Sequence, residues 1–233
     1  MPTAPSPEII AHRGTPREHP ENSLPGFAHA LTHGADGVEL DVHVTSDGVP
    51  VVHHDPTLHG GPHAGRPIAA LDAADVLATA LAPGVPVPTL AEVLALVAPR
   101  ATVYVEVKAV DAEAAVAAVL AGHGSRAPVH SFDHRISRRV RALAPDTPVG
   151  VLSTSYLMDN VAAVRAAGAR DLWQHWSMID AALVRDAHAA GIRVVAWTVN
   201  DVDVARRLAG YGVDGLCTDL PGVLRAAFHR AGS

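Results

Sequence analysis

Short apolar segments typical of strands alternate eight times with Ala- and Leu-rich segments typical of helices along this chain of 233 residues. The strand-like segments are rich in Val and Ile, and several lack the polar–apolar alternation of a half-exposed strand. They therefore predict strands buried on both faces, as in a parallel sheet covered by helices. The predicted strands are Ile9–His12, Val38–Val42, Thr102–Lys108, Pro128–Ser131, Pro148–Leu152, Asp171–Gln174, Arg193–Val199 and Gly215–Thr218.

The predicted helices fill the intervals between these strands. They are Ser23–Thr32, Leu90–Ala98, Ala112–Ala121, His134–Ala144, Leu157–Ala167, Ala181–Ala190, Val202–Ala209 and Pro221–Arg230. Asp180 and Asp201 are predicted to cap the N-termini of their helices. Several glycines are predicted to end helices. These are Gly34, Gly122, Gly168, Gly191 and Gly210.

Eight strand–helix pairs in a chain of this length predict an α/β fold, and specifically a (β/α)8 TIM barrel. We expect this barrel to form a single domain that spans residues 1–233. A doubly wound open sheet is the alternative. The chain shows no segment like the glycine-rich dinucleotide loop of that architecture, which favours the barrel.

The regular alternation is interrupted after the second predicted strand. Asp47-Gly48 lies between two apolar runs, which is a strong signal for a β-hairpin. A Gly- and Pro-rich segment, His59–Pro88, follows before Leu90 resumes a helix. We therefore expect a short β-hairpin insertion at about residues 43–88, on the loop after strand 2. In a barrel this loop opens onto the C-terminal face, where active sites lie.

The charge balance limits the class of ligand. Lys plus Arg number 18 and Asp plus Glu number 24, which gives a formal charge of −6. A nucleic-acid binder usually carries a basic surface, so we expect no nucleic-acid partner. An anionic substrate must instead be met by a local cluster of positive groups, because the field of the whole molecule would repel it.

Cysteine usage and hydropathy indicate the compartment. Cys217 is the only cysteine, so no intramolecular disulfide can form, as is usual in a reducing compartment. Residues Met1–Pro7 have neither the basic nor the apolar region of a secretion signal. The longest uncharged run, Val76–Ala91, contains three prolines and is too short to span a bilayer. We expect a cytoplasmic protein without stable membrane insertion, and the oligomeric state stays open.

Acidic side chains concentrate on the second and third predicted strands. Glu39 and Asp41 are two residues apart, so they point to the same side, and Glu106 occupies a similar place on the next strand. Three carboxylates that face a barrel mouth are costly to bury without a counter-charge. A divalent cation would supply it, and an all-carboxylate set favours Mg²⁺ or Ca²⁺, with Mn²⁺ as a further candidate. Since no zinc-type Cys/His cluster is present, His12 and His54 are left for proton transfer.

Lys108 is the only lysine in the chain, and every other cationic side chain, histidine aside, is arginine. It lies two residues after Glu106, so both side chains point to the same side of the strand. A compact ammonium in this place suits an oxyanion. A plain ion pair with Glu106 inside the barrel is the alternative.

Seven segments of the chain form a set that matches one known family. They are His12-Arg13-Gly14, Pro20-Glu21-Asn22-Ser23, Gly34–Leu58, Val103–Lys108, Ser131-Phe132-Asp133, Ala196–Asp201 and Gly215–Pro221. Together they resemble the glycerophosphodiester phosphodiesterases, over nearly the whole chain. The most specific part is the Glu-x-Asp strand with its hairpin and His-Asp-Pro end. The resemblance implies a (β/α)8 barrel with a metal-dependent hydrolytic site.

The resemblance also implies the chemistry of the site. Glu39, Asp41 and Glu106 would hold one divalent metal ion, while His12 and His54 would form the acid/base pair. The implied reaction is hydrolysis of a glycerophosphodiester to an alcohol and glycerol 3-phosphate. One histidine would take a proton from the attacking hydroxyl and the other would protonate the leaving alkoxide. Attack by water and attack by a neighbouring hydroxyl of the substrate, through a cyclic phosphate, both stay open.

Further residues are implied to bind the substrate. Arg13 and Lys108 would contact the phosphate oxygens, and Trp197 would line the substrate groove. Glu21 and Asn22 would support the site where the first helix starts. The expected partner is therefore a small-molecule phosphodiester, whose charge is neutralised by these cations and the metal.

The chain departs from the family pattern after the His-Asp-Pro-Thr-Leu sequence. There it reads His59-Gly60-Gly61-Pro62, in place of the usual Arg-Thr-Thr-like stretch. The insertion is also short and has no aromatic side chain, so the preferred headgroup alcohol stays open. On the sixth predicted strand Trp173, His175 and Trp176 are bulky, and we expect at least one of them to reach into the barrel mouth.

Three other functions stay open. A lysophospholipase D-like or other phosphodiester hydrolase on the same barrel would act on longer lipids and would need an apolar rim. A catalytically silent barrel would serve as a binding module, although both histidines and all three carboxylates are present. An unrelated barrel lyase or isomerase would share the architecture, because a fold does not determine a function.

Overall fold

The computed structural model describes residues 6–123 and 127–229, and strands alternate with helices along these ranges except in the insertion after the second strand. In chain order the strands are β1 (Glu8–His12), β2 (Gly37–Val44), β3 (Pro50–Val52), β4 (Ala80–Ala82), β5 (Val85–Pro86), β6 (Thr102–Val107), β7 (Val129–Ser131), β8 (Val149–Ser153), β9 (Asp171–His175), β10 (Arg193–Trp197) and β11 (Gly215–Thr218). The helices are α1 (Leu24–Thr32), α2 (Ala73–Leu77), α3 (Leu90–Val97), α4 (Glu113–Gly122), α5 (His134–Leu143), α6 (Asn160–Ala166), α7 (Ala181–Ala189), α8 (Val202–Tyr211) and α9 (Pro221–His229).

Eight parallel strands, β1, β2 and β6 to β11, close into a barrel. They pair in chain order, and β11 pairs back with β1, which completes the ring. A helix follows each of them, so the predicted TIM barrel is confirmed. The register places Asp41 on β2 opposite Glu106 on β6, and Glu106 opposite His130 on β7. Polar residues from three strands therefore lie at one level of the barrel.

Side-chain caps begin several of the helices. Asp180 accepts a hydrogen bond from the Leu183 N–H, and Asp201 accepts one from the Val204 N–H, as predicted. Three of the predicted glycines follow a helix with positive φ angles, a conformation that glycine adopts without steric cost. They are Gly34, Gly168 and Gly191.

Two of the predicted helix-ending glycines are wrong. Gly122 is the last residue of α4, and Gly210 lies inside α8. The ring of Tyr211 packs partly against the neighbouring apolar cluster, so α8 continues through this residue. Gly212, with φ of 92°, is the actual C-cap.

The insertion after β2 forms the predicted hairpin and has a small core of its own. β3 pairs antiparallel with β2 across the Asp47-Gly48 turn, and β4 pairs with β5 in a second short ribbon. Apolar side chains from these elements and α2 pack together. They are Val51, Leu58, Ile68, Leu71, Val76 and Val87. The insertion therefore holds its shape partly through contacts of its own, before Thr89 and Glu92 form a capping box at the start of α3.

The barrel interior is filled by a small group of apolar and aromatic side chains. They are Ile10, Tyr104, Leu152, Trp173, Val195 and Cys217. Two larger clusters pack between the outer face of the strands and the surrounding helices. The interior is thus a packed core with a floor of large rings below the mouth, where the Tyr104 and Trp173 rings meet edge to face at 5.2 Å.

A network of ion pairs and hydrogen bonds joins four strands, β1, β6, β9 and β10, at the N-terminal end of the barrel. Arg193 on β10 lies 2.8 Å from Glu8 Oε2 on β1 and 3.6 Å from Asp171 Oδ1 on β9. The Tyr104 hydroxyl donates to Glu8 at 2.7 Å, and Arg170 lies 2.6 Å from Asp171. Asp171 is fully buried, so this network supplies the partners that a buried carboxylate requires.

No helix within the described residues is long and apolar enough to cross a membrane. The predicted single domain of residues 1–233 extends beyond the described part, since residues 1–5, 124–126 and 230–233 lie outside it. Arg230, the last residue of the final predicted helix, is among them. The domain boundaries therefore stay a prediction.

Candidate active site

The chain turns sharply where β1 ends. Arg13 has a left-handed backbone with φ of 52°, and Gly14 follows with φ of 89°. A side chain at Gly14 would not fit, because its Cβ would lie 2.8 Å from the carbonyl carbon of Gly26. The N–H of Arg13 donates to the Glu39 carbonyl at 2.9 Å. This turn therefore holds His12 and Arg13 at the rim of the barrel, next to β2.

A cavity of about 150 Å³ lies at the C-terminal end of the barrel strands. Every predicted site residue except Asp41 lines it. These residues are His12, Arg13, Glu39, His54, Glu106, Lys108 and Trp197. The remaining wall is formed by His130, Phe132, Leu152, Trp173 and Cys217. Residues that are far apart in the sequence thus converge on one small space.

Asp41 is fully buried beside the cavity and is surrounded by donors. Arg13 Nε lies 3.0 Å from Oδ2, and Asn22 Nδ2 donates to the same oxygen at 2.8 Å. Lys108 Nζ lies 3.4 Å from Oδ1. Burial opposes ionisation, but the charges of Arg13 and Lys108 outweigh it and lower the pKa of Asp41 below its usual value. This carboxylate therefore stays negative and holds both cations in place.

Glu106 experiences the opposite balance of charge. It is only 7% exposed, and burial together with the negative charges of Asp41 and Glu39 raises its pKa to about 8. Lys108 Nζ, 3.0 Å from Oε1, offsets part of this effect. The two carboxylates beside Lys108 outweigh its burial and raise the pKa of the ammonium, which stays charged. The surroundings of Glu106 therefore disfavour its ionised form, and one more cation beside it would favour that form.

One group of side chains in the cavity has the spacing of a metal site. The ligand atoms of Glu39, Glu106 and His130 lie within 4.8 Å of one another. Within the described ranges Asp41 is not part of this group, and its role as a metal ligand stays a prediction. His130 was missed from the sequence. The register of parallel strands was the available signal, since it places His130 directly opposite Glu106.

His12 is held by a carboxylate from the other end of the chain. Its Nδ1 lies 2.7 Å from Asp219 Oδ1, and Asn200 Nδ2 donates to the second Asp219 oxygen at 2.7 Å. Burial of the ring disfavours its charged form, but the Asp219 hydrogen bond and the charge of Glu39 outweigh burial and raise the pKa of His12. In the sequence Asp219 belongs to one of the family segments and has no assigned role. Its contact with His12 is a finding of the structure.

His54 has a similar partner, but a local one. Its Nδ1 lies 2.7 Å from Asp55 Oδ1, and His59 contacts the other Asp55 oxygen. His53 faces away, into a separate groove lined by Glu21 and His59. This is the alternation expected along an extended arm. His12 and His54 therefore each have one ring nitrogen bound to a carboxylate.

Aromatic rings form one wall and the floor of the cavity. Phe132 and Trp197 meet edge to face at 5.4 Å, and Lys108 Nζ lies 6.0 Å from the Phe132 ring centre. Trp173 lies at the floor, which confirms that at least one bulky residue of the sixth barrel strand reaches the site. His175 packs against the Trp197 ring at the rim. The wall is rigid and apolar, while the opposite side is charged.

Comparisons with known proteins agree with this geometry. Residues 12–223 match the Glycerophosphoryl diester phosphodiesterase family. A glycerophosphodiester phosphodiesterase from Caldanaerobacter subterraneus subsp. tengcongensis is 30% identical over 240 residues, which cover 96% of this chain and 98% of that protein. The match thus extends over nearly all of both chains.

Solved structures with the same fold include two that cover nearly the whole chain. An Oleispira antarctica phosphodiesterase, in complex with its product sn-glycerol-3-phosphate, superimposes with a TM-score of 0.89 at 26% identity, over 96% of this chain and 97% of that one. A glycerophosphodiester phosphodiesterase from Agrobacterium tumefaciens has a TM-score of 0.84 at 26% identity, over 94% and 99%. From the matches in sequence and in fold we conclude that the chain belongs to the glycerophosphoryl diester phosphodiesterase family and is a phosphoric diester hydrolase.

Proposed function

We propose that this protein hydrolyses small glycerophosphodiesters to an alcohol and glycerol 3-phosphate, in a metal-dependent reaction in which His12 and His54 transfer protons. One observation carries the proposal. Both histidines line the same cavity, each with Nδ1 on a carboxylate, and the cavity also contains two cations and buried acidic side chains. The product bound to the Oleispira antarctica phosphodiesterase supports glycerol 3-phosphate as the product here.

The acidic side chains of the cavity fit a divalent cation. Glu39 and Glu106 are nearly inaccessible to water, and Asp41 is completely so. Asp41 Oδ1 accepts no hydrogen bond from the described residues, although Lys108 Nζ lies 3.4 Å away, so this buried oxygen can take a further positive partner. Glu39, Asp41 and Glu106 would hold the ion. When bound, it would supply positive charge to the phosphate and stabilise the charge that builds up during hydrolysis.

The two histidines are oriented for proton transfer by their carboxylate partners. A carboxylate accepts a hydrogen bond, so Nδ1 of His12 and of His54 carries the proton while Nε2 is free. Burial raises the pKa of Asp219, but the His12 hydrogen bond outweighs it, and the net pKa is lowered. The His12 ring can then gain and lose a proton on Nε2 while its Nδ1 stays bound to Asp219. One ring, in its neutral form, takes the proton of the attacking hydroxyl at Nε2, and the other, in its imidazolium form with a second proton on Nε2, gives that proton to the leaving alkoxide.

Arg13 and Lys108 would bind the phosphate oxygens. Arg13 is fixed by Asp41 on one side and by Glu21, 3.2 Å away, on the other. Lys108 is fixed by Asp41 and Glu106. Because these side chains are already held in place, little reorganisation is needed when the phosphate binds.

The size of the cavity favours a small headgroup. Its volume of about 150 Å³ is closed on one side by Phe132 and Trp197. The insertion contributes His54 to the cavity lining, and it has no Phe, Tyr or Trp side chain that would extend an apolar rim. We therefore place glycerophosphodiesters without acyl chains ahead of lysophospholipids.

The deciding experiment measures release of glycerol 3-phosphate from glycerophosphocholine, with and without a chelator. We expect chelation to abolish hydrolysis and Mg²⁺, Ca²⁺ or Mn²⁺ to restore it. Lysophosphatidylcholine, run in parallel, distinguishes the lysophospholipase D-like alternative. Full activity after exhaustive chelation, with no metal detected by elemental analysis, would exclude metal dependence.

The roles of the histidines are tested in the same assay. His12→Ala and His54→Ala should each lower kcat by about 10²- to 10⁴-fold, the usual contribution of a positioned acid or base. His188→Ala is the matched control, because His188 also pairs with a carboxylate, Asp214, but at the other end of the barrel. A parent-like rate in either cavity variant would refute that residue's assignment.

A further inference from the structure

His130 is a buried polar side chain whose polar atoms have no partner. It is only 1% exposed, and neither ring nitrogen has a hydrogen-bond partner among the described residues. Its ring stacks on Trp173, with centroids 4.2 Å apart and planes 12° apart. Buried polar groups are nearly always satisfied in proteins, so each exception needs an explanation. Stacking explains the position of the ring, but it does not satisfy the nitrogens.

The free nitrogens lie beside carboxylates at a specific spacing. His130 Nε2 is 3.8 Å from Glu39 Oε1, which is too long for a hydrogen bond. The cluster of Glu39, Glu106 and His130 has all its ligand atoms within 4.8 Å of one another. Two donors on one metal ion lie roughly 3 to 4.4 Å apart, because each bond is about 2.1 to 2.2 Å long. The cluster is therefore slightly wider than a filled site and needs only small side-chain shifts.

We propose that His130 is a nitrogen ligand of the metal ion, which adds an imidazole to the carboxylate donors and gives this enzyme a mixed nitrogen–oxygen site. The inference rests on the metal dependence proposed above and specifies the donor set. It also explains the neighbourhood of Asp41, whose carboxylate is bound by Arg13, Asn22 and Lys108. Asp41 would then be a shared support for the two cations and a more distant oxygen donor to the ion.

The proposal changes the expected metal preference. Ca²⁺ and Mg²⁺ are bound mainly by oxygen, whereas sites that contain nitrogen bind divalent transition ions with an affinity that rises from Mn²⁺ through Co²⁺ to Ni²⁺ and Cu²⁺. The prediction of a hard ion from the sequence rests on the carboxylates alone. With His130 included, Mn²⁺ should bind more tightly than Mg²⁺ or Ca²⁺, and the difference should depend on this one side chain.

The competing explanation is a simple ion pair. If the His130 ring were protonated, it would neutralise Glu39 and would need no metal. In that case removal of the ring nitrogen would leave metal binding unchanged or improve it, since a positive charge would leave the site. The two explanations therefore predict opposite effects of His130 variants on metal affinity.

The test uses Mn²⁺ as the probe on the full chain, without substrate. Electron spin echo spectra of bound Mn²⁺ report a directly bonded nitrogen, and titration followed by the Mn²⁺ electron spin resonance signal gives the Kd. His130→Phe keeps the stacking on Trp173 and removes both nitrogens. His130→Gln keeps a polar group and is the second variant in case His130→Phe does not fold. His134→Gln is the matched control, because His134 lies on α5 and does not line the cavity, and its imidazole contacts the Leu152 carbonyl on β8.

We expect a nitrogen signal in the parent and in His134→Gln, and its loss in both His130 variants. The Kd for Mn²⁺ should rise by about tenfold or more, the least expected from losing a direct ligand, while that for Ca²⁺ changes less. Mn²⁺ bound without a nitrogen signal, or a signal that persists in His130→Gln, would overturn the role of His130 and leave metal dependence intact. A parent protein that binds no divalent ion would instead overturn the metal dependence and this inference with it.

Discussion

His12 and His54 obtain their carboxylate partners in different ways. Asp55 directly follows His54 in the chain, whereas Asp219 is 207 residues away from His12. Asp219 is in turn held by Asn200 and lies within 3.7 Å of Arg17. His12 therefore depends on closure of the barrel between its last and first strands, and His54 depends only on its own loop.

Loss of the Asp219 charge should change the titration of His12. In Asp219→Asn the carboxylate hydrogen bond and charge no longer counteract burial, so the pKa of His12 should fall. If His12 is the base, the acid limb of the kcat/KM profile moves to lower pH. If it is the acid, the alkaline limb moves to lower pH. The pH profile and the His12 resonance in an NMR titration measure this shift.

Asp55→Asn is the control for that measurement. It removes the equivalent partner of His54 and should leave the His12 resonance in place. Both variants should also lose activity, by about 10²- to 10⁴-fold, because the ring is no longer held in the productive tautomer. An unchanged pKa of His12 in Asp219→Asn would contradict the assigned contact.

Lys108 has two possible roles that one substitution separates. Lys108→Met keeps the length of the side chain and removes its charge. If the ammonium binds phosphate, kcat/KM should fall by an amount equivalent to about 2–4 kcal/mol, and Lys108→Arg should recover only part of it. Steady-state kinetics at saturating metal measure the effect. An unchanged kcat/KM with a lower Tm would show that Lys108 serves only as a partner for Glu106 and Asp41.

Among the elements, the turn between β1 and α1 combines a close backbone contact with a positive φ angle. Gly14→Ala places a methyl group 2.8 Å from the Gly26 carbonyl carbon and adds the cost of a positive φ. We expect a loss of about 2–5 kcal/mol in the free energy of unfolding, the sum of a left-handed residue and an overpacked contact. Urea denaturation measures it, and activity should fall because His12 and Arg13 shift with the turn.

Gly48→Ala is a matched control for the steric part. Gly48 has nearly the same φ, 86°, but no atom lies within 4 Å of a Cβ there among the described residues. This variant should lose only the backbone cost of about 1–2 kcal/mol. Equal losses at Gly14 and Gly48 would show that the contact with α1 does not constrain the turn.

Elements were predicted well where the pattern is local and poorly where tertiary packing decides. The alternation of strand-like and helix-like segments predicted the barrel, and Asp47-Gly48 predicted the hairpin. The predicted helix at Leu157 begins three residues later, at Asn160, because Asp159 caps it. Side-chain capping and burial decide such ends, and neither is visible in periodicity.

The site shows the same division between local and distant information. Residues in recognisable motifs, such as Glu39 and Glu106, were found and do converge on the cavity. His130 and the role of Asp219 were missed, because each depends on a residue of a neighbouring strand. His130 lies opposite Glu106, and Asp219 contacts His12. The proton-transfer and metal-binding roles themselves stay predictions.

On the scale of the whole molecule, the two ends of the barrel contain different groups of polar residues. The cavity lies at the C-terminal end of the strands, and the Arg193 network lies at the N-terminal end. Arg193→Met should weaken the contacts among β1, β9 and β10 and lower the free energy of unfolding by about 1–3 kcal/mol, since Arg193 is partly exposed.

The same variant should leave the chemistry unchanged. With Arg193→Met still folded, kcat/KM and its pH dependence should equal those of the parent, because no residue of that network lines the cavity. Thermal denaturation and steady-state kinetics on one preparation measure both. A shifted pH profile would mean that the two ends are coupled through the barrel.

The single lysine gives the molecule a natural labelling handle. Lys108 is the only lysine of the chain, and its side chain is 20% exposed at the cavity wall. Reductive methylation with ¹³C-formaldehyde would therefore mark one side chain, besides the amino terminus. The labelled methyl carbons would give one sharp resonance inside the cavity of a 24.2 kDa protein. Occupancy of the site could then be followed in crude mixtures, without purification of the substrate or mutation of the protein.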